Sequence, residues 1–204
     1  MGDQDILERV ERHVIELLSE KLSPNLTYHS AEHTQEVVTR VKELAALQEF
    51  TEQEIEIVTI AAWFHDVGYT VSLNEHESHS AHLAEIFLED QGYDSEKIEQ
   101  VKSCILATKM PQSPKNALEQ TLCDADLLHI AQDDYFQKAQ QLHNEIEKTK
   151  LCNISKEEWM HMNQAFLQDH CFFTEQAKNK YQTAVKKNLK RVRDQLKRWQ
   201  NKKK

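Results

Sequence analysis

The chain contains few of the residues that interrupt helices. Only three glycines and three prolines occur among its 204 residues, so turns are sparse and the segments between them are long. Leu, Glu, Lys, Gln and Ala abound, whereas β-branched residues are scattered and do not alternate with polar ones. The sequence therefore predicts an all-α fold, a single-domain helical bundle of about eight to nine helices.

The sequence also lacks the usual signals for a membrane or an oxidising compartment. No stretch is apolar enough to span a bilayer, and the acidic N-terminus shows no apolar core of a signal peptide. The four cysteines form no C-x-x-C pair, which excludes a zinc ribbon or a redox motif, and we expect them to be buried. They are Cys104, Cys123, Cys152 and Cys171. We expect a protein of the reducing cytoplasm that does not contact a membrane.

Positive charge is scarce except at one end of the chain. The formal net charge is -9, yet ten of the 25 Lys and Arg lie between Lys186 and Lys204. The rest is strongly acidic, which disfavours nucleic-acid binding over most of the surface and favours metal cations. We therefore predict a helical catalytic domain over residues 1–185, followed by residues 186–204 as the basic end of the C-terminal helix.

Apolar residues three to four positions apart predict a series of amphipathic helices. The first covers residues 5–22, and the second follows Ser30. A capping box of Thr51 and Glu54 opens the third, which is expected to end at Gly68. Later helices are predicted over about 77–91, 95–108 and 118–130, near Asp134, from a capping box at Ser155 and Glu158, and from Thr174 to the end, with a loop at 110–114.

Histidines and aspartates occur at a spacing that indicates a metal site. His33 is followed 32 residues later by the doublet His65-Asp66, and Asp126 lies 60 residues after that doublet. Two imidazoles and two carboxylates suit Mn, Fe, Co, Ni or Zn and leave positions for water and substrate oxygens. The doublet ends a strongly apolar helix, where an uncompensated ionisable pair would cost roughly several kcal/mol. Likewise the segment Asp124–Leu128 places acids inside an apolar helix, and a helix cap or an internal salt bridge is the alternative explanation for them.

In order, these residues resemble the H…HD…D signature of the HD-domain superfamily of metal-dependent phosphohydrolases. The likeness covers nearly the whole chain and includes four further segments: Tyr28–Thr34, His76–Ala81, Ile105–Thr108 and Asp124–Leu127. The chain is similar to small stand-alone bacterial members, whose substrates are mostly unassigned. The resemblance implies a helical bundle of the HD-domain type.

The resemblance also implies a ligand set for one divalent cation, which could be Mn, Co, Ni, Fe, Zn or Mg. The ligands carried over are His33, His65, Asp66 and Asp126. Asp126 is preferred to Asp124 because the family's Asp precedes an x-Leu pair. Asp124 is expected to support the site without binding the cation, by orienting a ligand or holding a water. The alternative is that Asp124 caps a helix or forms a salt bridge with the basic tail.

The implied reaction is hydrolysis of a phosphoester or phosphoanhydride by a metal-activated water. The expected partner is a nucleotide or another small phosphorylated metabolite. Asp66 is the first candidate for the general base and Glu77 the alternative, while Lys109 offsets charge on the phosphate. The residues expected to face the substrate are His29, His76, His79 and Lys109.

Two other functions remain open at this stage. A diiron oxygenase needs extra histidines, and where close relatives carry a pair of them this chain reads Lys109-Met110-Pro111. One cation is therefore expected, and His82 is expected to be exposed. A nucleotide-sensing or nucleic-acid-associated module with little turnover would use the basic tail, a less favoured alternative to a solvated helix face. The sequence leaves the oligomeric state open.

Overall fold

The computed structural model describes residues 5–149 and 153–202, and its secondary structure there is helical. The α-helices of these residues are α1 (Ile6–Lys21), α2 (Ala31–Leu47), α3 (Glu52–Phe64), α4 (His76–Asp90), α5 (Ser95–Ala107), α6 (Ala117–Leu127), α7 (Tyr135–Thr149), α8 (Lys156–Asp169) and α9 (Glu175–Lys202). Two 3₁₀ helices join them, η1 (Val67–Thr70) before α4 and η2 (Leu128–Ala131) after α6. The predicted all-α class is confirmed.

The helices begin where the sequence provides capping groups. The Thr51 side chain accepts a hydrogen bond from the Glu54 amide, and the Glu54 carboxylate accepts one from the Thr51 amide at 2.8 Å. Ser155 and Glu158 form the same reciprocal pair at the start of α8, so both predicted capping boxes are confirmed. Ser30 caps α2, so this helix follows Ser30 as predicted, and His33 lies in its first turn.

Gly68 has a different role from the predicted one. Helix α3 ends at Phe64, and Gly68 lies in η1 without the left-handed conformation of a helix cap. Its amide donates to Ser80 Oγ at 2.8 Å. A Cβ atom at Gly68 would overlap the carbonyl of His76 and approach the Ser80 amide nitrogen to 2.8 Å. Glycine is needed here because η1 packs directly against the first turns of α4.

The chain forms two compact units. The first contains residues 5–24 and 29–126, with α1 to α6 up to Asp126. At its core is α3, whose residues Ile57–Phe64 are all buried. All the candidate site residues named above belong to this unit. The predicted domain of residues 1–185 stays a prediction.

The second unit contains residues 25–28 and the described residues from 127 onwards. Tyr28 belongs to it because its amide donates to Glu145 Oε2 at 2.8 Å. Its hydroxyl lies 2.8 Å from His129 Nδ1. Helix α9 buries Val185, Val192 and Leu196, and it runs without a break across residue 185.

The cysteine prediction is correct at two positions and wrong at a third. Cys104 and Cys123 are buried, but Cys171 is exposed. Cys171 lies in the link between α8 and α9, where the neighbouring Phe172 is buried instead. Cys152 lies outside the described residues. Among those that are described, no helix is both long and apolar enough to cross a membrane; the cytoplasmic location stays a prediction.

Replacement of Gly68 by alanine should destabilise the protein. The added methyl group meets backbone atoms of α4, so η1 or α4 must shift, at a cost of about 1–3 kcal/mol. Gly92→Asn is the control, because nothing lies within 4 Å of a Cβ there and Asn tolerates its left-handed φ of 68°. Chemical denaturation should give a lower free energy of unfolding for Gly68→Ala than for Gly92→Asn. Equal stabilities would contradict the close packing of η1 on α4.

Candidate metal centre

The buried imidazole of His33 forms one side of the site. The Ser30 side chain accepts from the His33 amide at 3.4 Å and so helps to hold the first turn of α2. Only 2% of the His33 side chain is exposed. Its Nε2 atom lies 3.5 Å from Asp66 Oδ2 and 3.3 Å from Asp126 Oδ1. His33 therefore faces both carboxylates of the predicted ligand set.

The doublet His65-Asp66 is carried into the protein interior by α3. His65 Nδ1 lies 2.8 Å from the Ala62 carbonyl oxygen. A carbonyl can only accept, so Nδ1 carries the proton and Nε2 of the neutral ring has a lone pair available. That Nε2 atom is 3.2 Å from Asp66 Oδ2 and 3.7 Å from Asp126 Oδ1. The ring is thus held in the tautomer that binds a metal through Nε2.

Four predicted ligands come together from three parts of the first unit. One donor atom each from His33, His65 and Asp66 lies within 4.8 Å of the others, and all three residues are buried. Asp126, close to the end of α6, brings Oδ1 next to both imidazoles. Its side chain is 21% exposed, so the site has an open side at this carboxylate.

The site is electrostatically arranged for positive charge. Burial by itself would lower the pKa of His65, but Asp66 and Asp126 raise that pKa to about 9. Burial would likewise raise the pKa of Asp66, yet the neighbouring imidazoles, above all His65, hold it well below its usual range. The pKa of Asp126 is also lowered, against the effect of burial, by His33 and His65. Both carboxylates are therefore charged, and the cluster retains protons that a cation can displace.

The residues fit a divalent cation. Among the described residues, His65 Nε2 and Asp66 Oδ2 are buried side-chain atoms that form no hydrogen bond. Buried polar atoms normally have a partner, and an ion is one explanation for an exception. Imidazole nitrogens and carboxylate oxygens together suit first-row transition metals. The group of His33, His65 and Asp66 can therefore hold a metal ion, and Asp126 as the fourth ligand stays a prediction.

A second group of side chains borders the Asp66 carboxylate. His76 and Glu77 lie in the first turn of α4. His76 Nε2 is 3.7 Å from Asp66 Oδ1 and 3.5 Å from Glu77 Oε1. The His76 ring stacks on Tyr69 with centroids 3.9 Å apart, and His29 packs against the same tyrosine at 4.5 Å. Burial lowers the pKa of His76, although Asp66 and Glu77 oppose that effect.

Tyr69 was not identified from the sequence. It follows the doublet by three residues in η1, and its amide donates to the Asp66 carbonyl at 3.1 Å. Its position directly after Asp66-Val67-Gly68 was the only available signal. A tyrosine beside a glycine has no pattern of its own, so its contact with His29 and His76 depends on the fold.

The remaining candidates lie at different depths. Lys109 is 49% exposed and forms an ion pair with Glu75 at 2.7 Å. Glu75 precedes His76 and has a left-handed φ of 55°, a strained conformation for a residue with a side chain. His79 is half-buried, and its substrate role and that of Lys109 stay predictions. His82 is exposed, as predicted.

Asp124 is fully buried on α6, two residues before Asp126. A carboxylate at this depth is consistent with support for a ligand, because an unsatisfied buried charge is costly. That Asp124 orients a metal ligand or holds a water stays a prediction.

Comparison with known proteins agrees with this geometry. The HD domain family matches residues 30–131, half of the chain and all four predicted ligands. A solved structure from an uncultured Thermotogales bacterium, described as a predicted HD superfamily hydrolase, superposes with a TM-score of 0.58. The alignment covers 97% of this chain and 93% of that one at 19% identity, so it supports the fold alone. No curated protein matches the sequence.

The chain belongs to the HD domain family. The fold and the His/Asp cluster are those that the sequence resemblance implied.

The purified protein should bind about one divalent transition metal per chain. His65→Ala should lose most of the metal because it removes a buried donor, whereas His76→Ala should retain it. Elemental analysis after loading with Mn²⁺ and dialysis measures both, with circular dichroism to confirm that each variant is folded. Two tightly held ions in the wild type that fall to one in His76→Ala would contradict a single site.

Proposed function

We propose that the protein is a metal-dependent phosphohydrolase that cleaves a phosphoester or phosphoanhydride in a small phosphorylated metabolite, such as a nucleotide. The observation that supports this most strongly is the buried cluster of His33, His65 and Asp66, with Asp126 beside it at the open side. Such a cluster, in a family of metal-dependent hydrolases, combines a cation site with access for a substrate.

The four ligands hold the cation and set the charge of the site. A bound divalent cation supplies Lewis acidity, which lowers the pKa of water and neutralises negative charge on a phosphoryl oxygen. The hydrogen bond between His65 and the Ala62 carbonyl fixes the orientation of the imidazole ring, so its Nε2 atom already faces the cation site. The two carboxylates reduce the net charge of the loaded site and thereby favour a divalent ion over a monovalent one.

Glu77 is the carboxylate best placed to accept a proton from the attacking water. Both Asp66 oxygens face imidazoles, Oδ2 towards His33 and His65 and Oδ1 towards His76, whereas in Glu77 one oxygen, Oε1, faces His76. Glu77 is buried beside His76, at the edge of this ligand set. A base in a buried site transfers protons efficiently when its position is held. Asp66 remains the alternative base, acting through its Oδ1 atom.

The outer group of rings would position the phosphorylated substrate. His29, Tyr69 and His76 form a connected set of aromatic side chains next to the carboxylate. Imidazole N–H groups donate to phosphate oxygens, and the stacked tyrosine restricts how far the rings can turn. His79 on α4 would donate a hydrogen bond to the phosphate, and Lys109, which pairs with Glu75 just before α4, would add positive charge.

Activity should be found in a screen of several metals against nucleoside mono-, di- and triphosphates, cyclic nucleotides and generic phosphoesters. On the best substrate, Glu77→Gln should lower kcat about a hundredfold, the usual scale for loss of a general base, while its metal content stays near normal. Asp66→Asn should lose metal as well as activity, because it removes a charged ligand. Asp124→Asn should cost about tenfold, as changes behind a ligand often do.

All three variants replace a carboxylate with an amide of the same shape, so they control for one another. Metal analysis and kinetics at saturating metal separate lost affinity from lost chemistry. Wild-type turnover in Glu77→Gln would return the base role to Asp66. Wild-type turnover in Asp66→Asn with saturating metal, or no phosphate release in any metal and substrate combination, would overturn the proposed function.

Substitution of Tyr69 should test the outer rings. Tyr69→Leu removes the stack on His76 and should lower kcat/KM about tenfold with metal content unchanged. Tyr69→Phe keeps the ring and should remain near wild type. Steady-state kinetics on the best substrate measure both. A Tyr69→Phe variant as impaired as Tyr69→Leu would show that the hydroxyl, rather than the stacking, is what matters.

A further inference from the structure

The second unit presents a strongly basic face on α9. Between Lys186 and Arg198 this helix carries seven Lys and Arg side chains against a single acid, Asp194. Its other face is buried through Val185, Val192 and Leu196. Asn188, on the same buried face, donates to the Ile130 carbonyl at 2.9 Å. The helix is thus anchored on one side, and its cations are concentrated on the other.

Three of these cations lie on a line without acidic partners. Lys186, Lys190 and Lys197 are exposed, and none of them forms an ion pair within the described part of the chain. With Arg193 they recur every three to four residues, so they share one side of the helix over about 17 Å. Arg193 donates to Gln168 at 2.7 Å, which leaves its charge uncompensated. Like charges at this spacing repel, and a polyanion would relieve the repulsion.

A cleft of about 350 Å³ opens on another side of α9, roughly a third of a turn around the helix from this line. It is lined by Phe136, Arg191, Asp194, Gln195 and Arg198. The Arg191 guanidinium lies 4.7 Å from the centroid of the Phe136 ring. It also donates to the Asp133 carbonyl at 3.2 Å and to Asn188 Oδ1 at 2.7 Å. These hydrogen bonds hold the arginine over the aromatic ring.

We propose that the exposed surface of α9, which carries both the line of lysines and the cleft, binds single-stranded nucleic acid. Phosphates would lie along the line of lysines, and the strand would pass around α9 so that a base enters the cleft and packs against Arg191 and Phe136. Asp194 would repel a phosphate in the cleft, but its carboxylate can accept hydrogen bonds from a base edge. The combination of a basic track with an aromatic and arginine platform is the usual basis of single-strand binding.

An anionic membrane is less well matched to this surface. Helices that lie in a membrane interface insert an apolar face, and the apolar face of α9 is buried in the protein. Among the described residues, the large hydrophobic side chains that are exposed all lie outside α9. The proposed binding does not depend on phosphohydrolase activity.

The test is binding of the full chain to a fluorescein-labelled oligouridine of about 12 nucleotides, followed by anisotropy. Wild-type protein should bind it, with an affinity that falls steeply between about 50 and 200 mM salt. Lys186→Glu/Lys190→Glu/Lys197→Glu should weaken binding at least tenfold. Lys42→Glu/Lys115→Glu/Lys156→Glu is the matched control, because it changes the net charge equally at three exposed lysines outside α9 and should bind as wild type does.

A separate variant tests the cleft. Phe136→Leu keeps an apolar side chain and the net charge but removes the ring, and it should weaken binding about fivefold or more. Circular dichroism confirms that the variants are folded. The proposal is overturned if wild-type protein does not bind the oligonucleotide at low salt, or if the control triple is as impaired as the α9 triple. It is also overturned if anionic phosphatidylserine vesicles bind in an α9-dependent manner while the oligonucleotide does not.

Discussion

The burial of the Asp66 carboxylate is the constraint on which the first unit depends. A charged group in the interior costs several kcal/mol or more, roughly, unless other groups compensate it. Here α2 contributes His33, α3 contributes His65, and the first turn of α4 contributes His76. Three helices from separate parts of the sequence must therefore begin or end next to the Asp66 carboxylate. The packing that compensates one buried charge also creates a site for a cation.

The turn after the His65-Asp66 doublet determines which side chains each oxygen of the Asp66 carboxylate faces. The Gly68 amide bonds to Ser80, and the absence of a side chain at Gly68 lets η1 lie directly on α4. As a result Asp66 presents Oδ2 to the inner imidazoles and Oδ1 to His76. One residue thus connects the cation site with the group of rings where a substrate would lie. A rigid turn is an efficient way to hold such a residue, because its rotamer is restricted by the backbone on both sides.

The two units differ in the charge that they concentrate. The first collects carboxylates around imidazoles, which attracts cations. In the second, α9 collects lysines and arginines on an exposed helix face. The formal net charge of -9 hides this division, because ten of the 25 Lys and Arg are concentrated between Lys186 and Lys204. Net charge by itself would indicate only a protein that avoids polyanions, whereas the distribution provides a place for one.

Local signals in the sequence determined the helices and the group of His33, His65 and Asp66. The capping boxes at Thr51 and Ser155, the apolar run of α3 and the H…HD…D order are properties of short segments, and the structure agrees with them. Only the tertiary structure decided the close approach at Gly68, the stack of Tyr69 on His76 and the exposure of Cys171. Each of these depends on which residues from distant parts of the chain become neighbours. A periodic pattern indicates which face of a helix is buried, but it does not specify what that face meets.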